Sequence, residues 1–415
     1  MRQFLFSLHL SCISCVGLFD AFYLCFGDDR LKILHTSDWH LGKMVMVQSM
    51  LDDQRYFIEN IFLKALDEYR PDVIVLAGDI FDQSIAPIPA IELLEETLYA
   101  VASRKIPLIA ISGNHDSPER LIPAARLLRS SGIYLANSID DLLEPIDITA
   151  ADGSRARFFC LPYFDLSMAR NFTRIDKLKN VGEAYDALFD MASEKLADDC
   201  PNILVTHCTV VGAVTCESES AVSVGGAQQV SSDIFSRFDL TCLGHIHSPQ
   251  RGGGNARYSG APLRYSFDRN ERDKCMLLYD TQNGMSVTEI PIVPLHEMRV
   301  VKGRFKELKD VPDNCTQDYI FAVVDDDHIE VQPMERLREK YPNIIGTKQL
   351  FLSENQAGDF LSDETRETRE KIANNKLSDE ELVRSFLKSV CDTVPTDEDI
   401  AFFNMIKNKL GDEEK

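Results

Sequence analysis

Positive charge is in short supply in this 415-residue chain: 44 lysines and arginines face 66 aspartates and glutamates, a net charge of −22. That deficit argues against a protein that grips nucleic acid with a basic surface as a whole. Paired cysteines are lacking too. The eleven cysteines are irregularly spaced, and Cys12 and Cys15 form the only C-x-x-C, with no second pair of ligands. A disulfide framework is excluded, the pair reads as chance, and the other cysteines read as reduced packing residues. An uncharged apolar stretch, broken only by His9, runs from Phe4 to Phe19. A lone Arg2 before such a run fits a signal peptide or short anchor, but no small-x-small cleavage site follows and Asp20 interrupts it. Residues 1–30 are therefore expected to be a mis-assigned extension, with export or anchoring as the alternative.

Hydrophobic residues at 44% and charged residues at 27% describe an ordinary globular chain, long enough for two or three domains. The informative stretch is LKILHTSDWHLG, residues 31–42. Leu31, Ile33 and Leu34 read as a buried strand that stops at Ser37, and Asp38 and His40 follow one residue apart. Just past the carboxyl end of a central strand, side chains face the crevice where open α/β sheets bind ligands. Asp-x-His alone is a weak signal; its weight comes from what recurs downstream.

An amphipathic helix over 49–69, with Phe57, Ile58, Ile61, Phe62 and Ala65 on one face, is broken by Pro71. The strand DVIVL (72–76) runs into Gly78-Asp79-Ile80-Phe81-Asp82. A helix over 89–104 leads to strand 107–111, which ends in Gly113-Asn114-His115-Asp116. A helix over 119–130 and a strand over 133–135 follow, then sheet with turns over 137–165, with a hairpin turn at Asp152-Gly153. A polar helical segment runs to about 199. Strand 202–206 ends in His207, and strand 240–243 ends in Gly244-His245-Ile246-His247. Residues 212–230, rich in Gly, Ser, Ala and Val, read as a loop over the site. Strands alternating with helices at this spacing predict an α/β fold with a mostly parallel, layered sheet.

Between Arg251 and Lys274, five arginines and one lysine face three acidic residues. This basic island makes Arg257 and Arg264 candidate substrate contacts; a solvated loop is the alternative. Near Pro291–Pro294 the character changes. Residues 298–352 read β–β–α–β, with strands over 298–303, 319–324 and 348–352 and a helix begun by Pro333 and ended before Pro342. The charged tail carries a capping box at Ser378–Glu381 and two short amphipathic helices that need a partner surface, on this chain or another. The expected organisation is a leader (1–30), a main domain (31–290), a small α/β module (291–355) and a helical tail (356–415).

Asp38, His40, Asp79, Asn114, His115, His207, His245 and His247 thus use five of only nine histidines, all at strand-to-loop junctions. Any one alone is more often structural; five at equivalent positions with two aspartates and an asparagine are improbable by chance. Carboxylate, imidazole and amide donors together suit two divalent transition metals rather than Mg²⁺ or Ca²⁺. Two such ions about 3.5–4 Å apart activate water and polarise a phosphoryl oxygen, so phosphoester hydrolysis follows. His115 is not needed as a ligand and is free to stabilise the transition state or protonate the leaving oxygen.

The blocks D-x-H, GDIFD, GNHD, a strand-terminal His and GHIH resemble the calcineurin-like metallophosphoesterases. More narrowly, LKILHTSDWHLG, AGDIFD, SGNHDSPER, CLGHIHSPQ and YSGAPLRYSFD resemble the SbcD-type nuclease subunits of bacterial SbcCD complexes. The resemblance implies a sheet sandwich flanked by helices, with a capping module and helical tail. It implies one metal on Asp38, His40, Asp79 and His247. A second would take Asp79 as a bridge with Asn114, His207 and His245, and His115 would be the catalytic histidine. It further implies Mn²⁺, a homodimer, cleavage of DNA ends and hairpins, and an SMC-like ATPase docked on the C-terminal helices in a heterotetramer; with the leader not read as a signal peptide, the expected location is cytoplasmic. Asp82 stands where archaeal and eukaryotic relatives often carry histidine, which puts a second phosphate-directed histidine in doubt. Competing readings are a stand-alone phosphoesterase, disfavoured as a protein phosphatase by GNHD in place of GNHE, and a scaffold with a structural metal, which this mixed donor set fits poorly.

Overall fold

The computed structural model describes residues 30–117, 125–219, 229–268, 271–282, 285–310, 317–326 and 330–350. The leader, the first half of the helix expected over 119–130, residues 220–228 of the expected loop and the tail with its two helices lie outside the described residues.

Two six-stranded sheets form the frame. The first contains β1 (Lys32–Thr36), β2 (Val73–Ala77), β3 (Leu108–Ile111), β4 (Ile133–Ala136), β11 (Cys275–Asp280) and β12 (Ser286–Pro291). Their order is β12-β11-β1-β2-β3-β4, with β1 to β4 parallel and β11 and β12 antiparallel additions at one side. The second contains β5 (Ile146–Thr149), β6 (Arg155–Leu161), β7 (Asn202–His207), β8 (Leu240–Gly244), β9 (Gln250–Gly253) and β10 (Ala256–Tyr258). Its order is β9-β10-β8-β7-β6-β5, parallel across β10, β8, β7 and β6. The β5–β6 hairpin pairs Ile146 with Phe158 and Thr149 with Arg155, and it turns at Asp152-Gly153 as the sequence predicts.

Alternation along the strands explains the layering. On β6, Phe158 and Cys160 enter the core between the sheets with Ile33, Val75, Ile109, Ile203 and Val205. Phe159 and Leu161 face the other way and join Tyr185, Leu188 and Phe189 of α6 (Val181–Ala192). The outer face of the first sheet is covered by a long helical segment, by α3 (Ile88–Ser103) and by α4 (Ala125–Arg129), whose Leu128 packs there. That segment is α1 (Leu51–Phe57), a π-helical turn (Ile58–Phe62) and α2 (Leu63–Tyr69). Phe57, Ile58, Phe62 and Ala65 are buried, and Ile61 is partly buried. The fold is α/β, a sandwich of two sheets flanked by helices.

A three-stranded sheet of β13 (Met298–Gly303), β14 (Tyr319–Val324) and β15 (Ile344–Gln349) follows. The strand expected at 348–352 begins earlier because Ile344 and Ile345 are buried, and the helix behind Pro333 closes at Leu337. A buried carboxylate anchors the start of this segment: Asp53 of α1 accepts from Tyr319 Oη at 2.7 Å and lies 3.0 Å from His296 Nδ1. Among the described residues no helix is long and apolar enough to cross a membrane, and the cysteines are free thiols.

Phe158 is fully enclosed between the two sheets, so its truncation would leave a cavity. Phe158→Ala is expected to cost about 3–5 kcal/mol, read as a lower urea midpoint at unchanged m-value.

Candidate metal centre

The site lies where the carboxyl ends of the parallel strands of the two sheets meet. His207, the last residue of β7, donates its Nδ1–H to the carbonyl of Ala77, the last residue of β2, at 2.9 Å. Tyr163 N, just past β6, donates to Ser112 O, just past β3, at 3.0 Å. The approach is so close that a Cβ on Gly244 would lie 1.7 Å from Ala77 O, and one on Gly113 would lie 2.1 Å from Asp79 Oδ1. Glycine is required at both points. Asp38, His40, Asp79 and His245 all hold left-handed backbone, with φ of 54°, 48°, 48° and 96°. Non-glycine residues in that region cost about 1–3 kcal/mol each and persist where surrounding structure imposes them. Here backbone bonds do so: Asp38 N to Gly78 O at 3.0 Å and His40 N to Asp79 O at 2.9 Å.

These turns aim the side chains at one another. The ligand atoms of Asp38, His40 and His247 lie within 4.8 Å of each other, as do those of Asp79, His207 and His245. His40 Nε2 faces His247 Nε2 at 3.0 Å. Asn114 Oδ1 lies 3.0 Å from His207 Nε2 and 2.9 Å from His245 Nδ1. Asp79 Oδ2 stands between the two groups, 3.3 Å from His207 Nε2 and 3.6 Å from His40 Nε2. His115 sits beside them, its ring edge-on to His40 at 4.8 Å and its Nδ1 2.7 Å from the Asp82 carbonyl. The eight residues expected at the site are thus brought together. Of the two candidate arginines, Arg264 pairs with Asp273 at 3.5 Å, and Arg257 lies opposite Cys242 in the second sheet.

Burial dominates the electrostatics. It pushes the Asp38 carboxyl up to about 7, even against the nearby His207 charge. It also pushes Asp79 up, but the charge and hydrogen bond of His207, with His40 and His115, pull that carboxyl well below its ordinary range. His207 is the counterpart: burial lowers it, and Asp79 and Asp38 outweigh burial and raise it to about 9. Burial keeps His247 well below its usual value and takes His245 down to about 3, so both are neutral.

Neutral imidazoles with converging nitrogens fit metal ions on chemical grounds. His207 Nδ1–H is committed to a carbonyl, which leaves Nε2 directed at Asp79 and Asn114. His247 Nδ1 shares a 2.7 Å hydrogen bond with Ser218 Oγ, which orients the ring with its Nε2 toward His40. Such partners orient metal-binding histidines. The donor set fits two divalent ions.

Sequence reasoning missed the supports. Asp116, buried, accepts from Ile80 N, Phe81 N and Gly113 N at 2.9–3.1 Å and so clamps the Asp79 turn to the Asn114 turn. Its place in Gly-Asn-His-Asp was the available signal. Gln54 donates to His40 O at 2.8 Å, and Glu219 accepts from His247 N at 2.6 Å. Neither carries a local sequence signal, apart from Glu219 lying in the loop expected over the site.

The chain matches the calcineurin-like phosphoesterase family over residues 31–249 and the type 5 capsule protein repressor C-terminal domain over 294–390. It is 30% identical over 369 residues to a protein of Staphylococcus epidermidis named as the D subunit of nuclease SbcCD, covering 87% of this chain and 94% of that one. A protein of the same name from Staphylococcus saprophyticus is 31% identical over 367 residues, covering 87% and 93%. A solved structure, TT1561 of Thermus thermophilus, covers 63% of this chain and 99% of its own at 13% identity and a TM-score of 0.37, too remote to inform the reading. The chain belongs to the calcineurin-like phosphoesterases and, within them, to the SbcD-type nuclease subunits. It is a metal-dependent phosphodiester hydrolase.

With its ions chelated, the folded protein holds a proton on His207 up to about pH 9 that the unfolded chain releases near 6.5. Asp38 adds the same sign up to about 7. Stability is therefore fully present below these windows and lost as pH rises through them. Melts in chelator should show a falling Tm from pH 6.5 to 9; a flat or rising Tm refutes the charge assignment.

Proposed function

We propose that the chain is the nuclease subunit of an ATP-dependent complex that cleaves DNA ends and hairpins in recombination, repair and replication. The observation that carries this reading is the position of Asp79 Oδ2 between the His207 and His40 imidazoles, as a carboxylate shared by two ions requires. Asp38, His40, Asp79 and His247 would hold one ion, and Asp79, Asn114, His207 and His245 the other, with Mn²⁺ suited to the mixed donors. When bound, such ions supply Lewis acidity to a phosphoryl oxygen and lower the pKa of water from 15.7 toward about 7.

The chain's own residues do the rest. Asp38 and Asp79 bring negative charge that offsets the cations, and the left-handed turns fix donor directions before substrate arrives. His115, its Nδ1–H given to the Asp82 carbonyl, has only Nε2 to offer. As imidazolium it would donate a proton from Nε2 to the departing oxygen as water adds to phosphorus and the P–O bond breaks.

The relatives are named as subunits of SbcCD. On that ground we assign residues 31–290 to the nuclease domain and 291–355 to a capping module. The tail of 356–415 would dock an SMC-like ATPase in a heterotetramer built on a cytoplasmic homodimer.

His115→Ala should retain both Mn²⁺ ions in equilibrium dialysis and lose DNA cleavage by about 10²–10⁴-fold; undiminished cleavage sinks its role. Wild-type turnover of a small phosphodiester with no action on DNA, alone or with the ATPase, would favour a stand-alone phosphoesterase. Deleting 378–415 should leave basal Mn²⁺-dependent activity and abolish co-purification with the ATPase; retained co-purification refutes the docking assignment.

A further inference from the structure

Beside the metal centre lies a cavity of about 450 Å³ whose lining includes Asn114, His207 and His245. Its walls include Tyr163, Phe164 and Val181, and the exposed Lys179 borders it. The aromatic walls are rigidly set. Tyr163 is tied by its backbone N–H to Ser112 O, and its ring stands edge-on to His207 with centroids 6.4 Å apart. Phe164 packs on Tyr185 at 5.0 Å, and Tyr185 is itself locked by a 2.9 Å bond to Thr206 Oγ1. The one acidic side chain lining it, Asp165, is committed to capping α5 (Leu166–Thr173) by accepting from Met168 N at 2.8 Å.

We propose that this cavity receives the unpaired nucleobase of the nucleotide whose phosphodiester is cut, stacked against Tyr163, with the Lys179 ammonium near its sugar-phosphate. The inference rests on the nuclease reading and adds a seat for the base next to the scissile phosphate, which that reading does not assign. The volume is that of a small-ligand site, about 300–1,000 Å³. An apolar, aromatic enclosure opening directly onto the residues that handle the phosphate suits a flat, weakly polar group one sugar away. Stacking without edge-directed hydrogen bonds tolerates any base. A base inside a duplex cannot enter, so a closed terminal pair must open first, and frayed ends, overhangs and hairpin loops are the favoured substrates.

The test is a cycle between the base and the tyrosine. Mn²⁺-dependent cleavage by the full chain, alone and with its ATPase, is followed on overhang duplexes whose terminal nucleotide, at the 3′ or the 5′ end, is either dA or abasic. Removing the base should raise wild-type KM by about tenfold at one of the two ends. Tyr163→Ala should raise KM for the dA substrate by a similar factor, with no further loss on the abasic one, and Tyr163→Phe should restore base dependence. A terminal mismatch should lower KM relative to a flush G·C end. Equal wild-type KM with and without the base at both ends overturns the inference, as does a Tyr163→Ala loss of the same size on both substrates, the mark of a merely structural role. Failure of the wild-type chain to cut any DNA under either condition removes the nuclease reading and this inference with it, an outcome distinct from cleavage that ignores the base.

Discussion

The hydrogen bond from His207 to Ala77 O joins the last residues of two central strands that belong to different sheets. Nearly everything at the metal centre depends on that junction. It sets the ring of His207, turns its Nε2 toward Asp79, and requires glycine at 244, where a side chain would strike the Ala77 carbonyl. Tyr163 N to Ser112 O repeats the tie one strand along. A sandwich whose sheets met less closely would keep the same side chains and separate their donor atoms.

Holding that junction stores electrostatic tension. Asp38, Asp79 and Asp116 are all buried within one small region, and burial, reinforced by the Asp79 charge, raises the carboxyls of both others. Three backbone N–H groups hold Asp116 and a proton on His207 steadies Asp79, yet the left-handed turns add strain of their own. Such arrangements recur at functional sites because preorganised charge and backbone cost stability elsewhere in the molecule. The two apolar cores flanking the sandwich and the one within it supply that stability.

A chain of net charge −22 that works on a phosphodiester cannot rely on surface-wide attraction. Its positive field is local. Arg264, in the basic island, is held by Asp273, whereas cations at the metal centre would meet the phosphate directly. Substrate selection then falls on the shape of the space around the site more than on charge.

The parallel strands were legible in the sequence because buried β-branched runs such as DVIVL are bounded by helices of clear period. The eight site residues were legible because each follows such a strand, and position at a strand end is a local property. The start of β15 lies earlier than expected because Ile344 and Ile345 are buried by tertiary packing, which a short apolar pair between Pro342 and Gly346 does not announce. The sequence by itself determined the α/β class, the strand-end constellation and the donor types. Only the tertiary structure decided that Ser218, Glu219, Gln54 and Asp116 hold these residues, and that an aromatic cavity adjoins them. The reason is physical: periodicity and turn chemistry act over a few residues, whereas contacts such as Ser218 with His247, or Tyr163 with His207, join residues that only folding brings within reach.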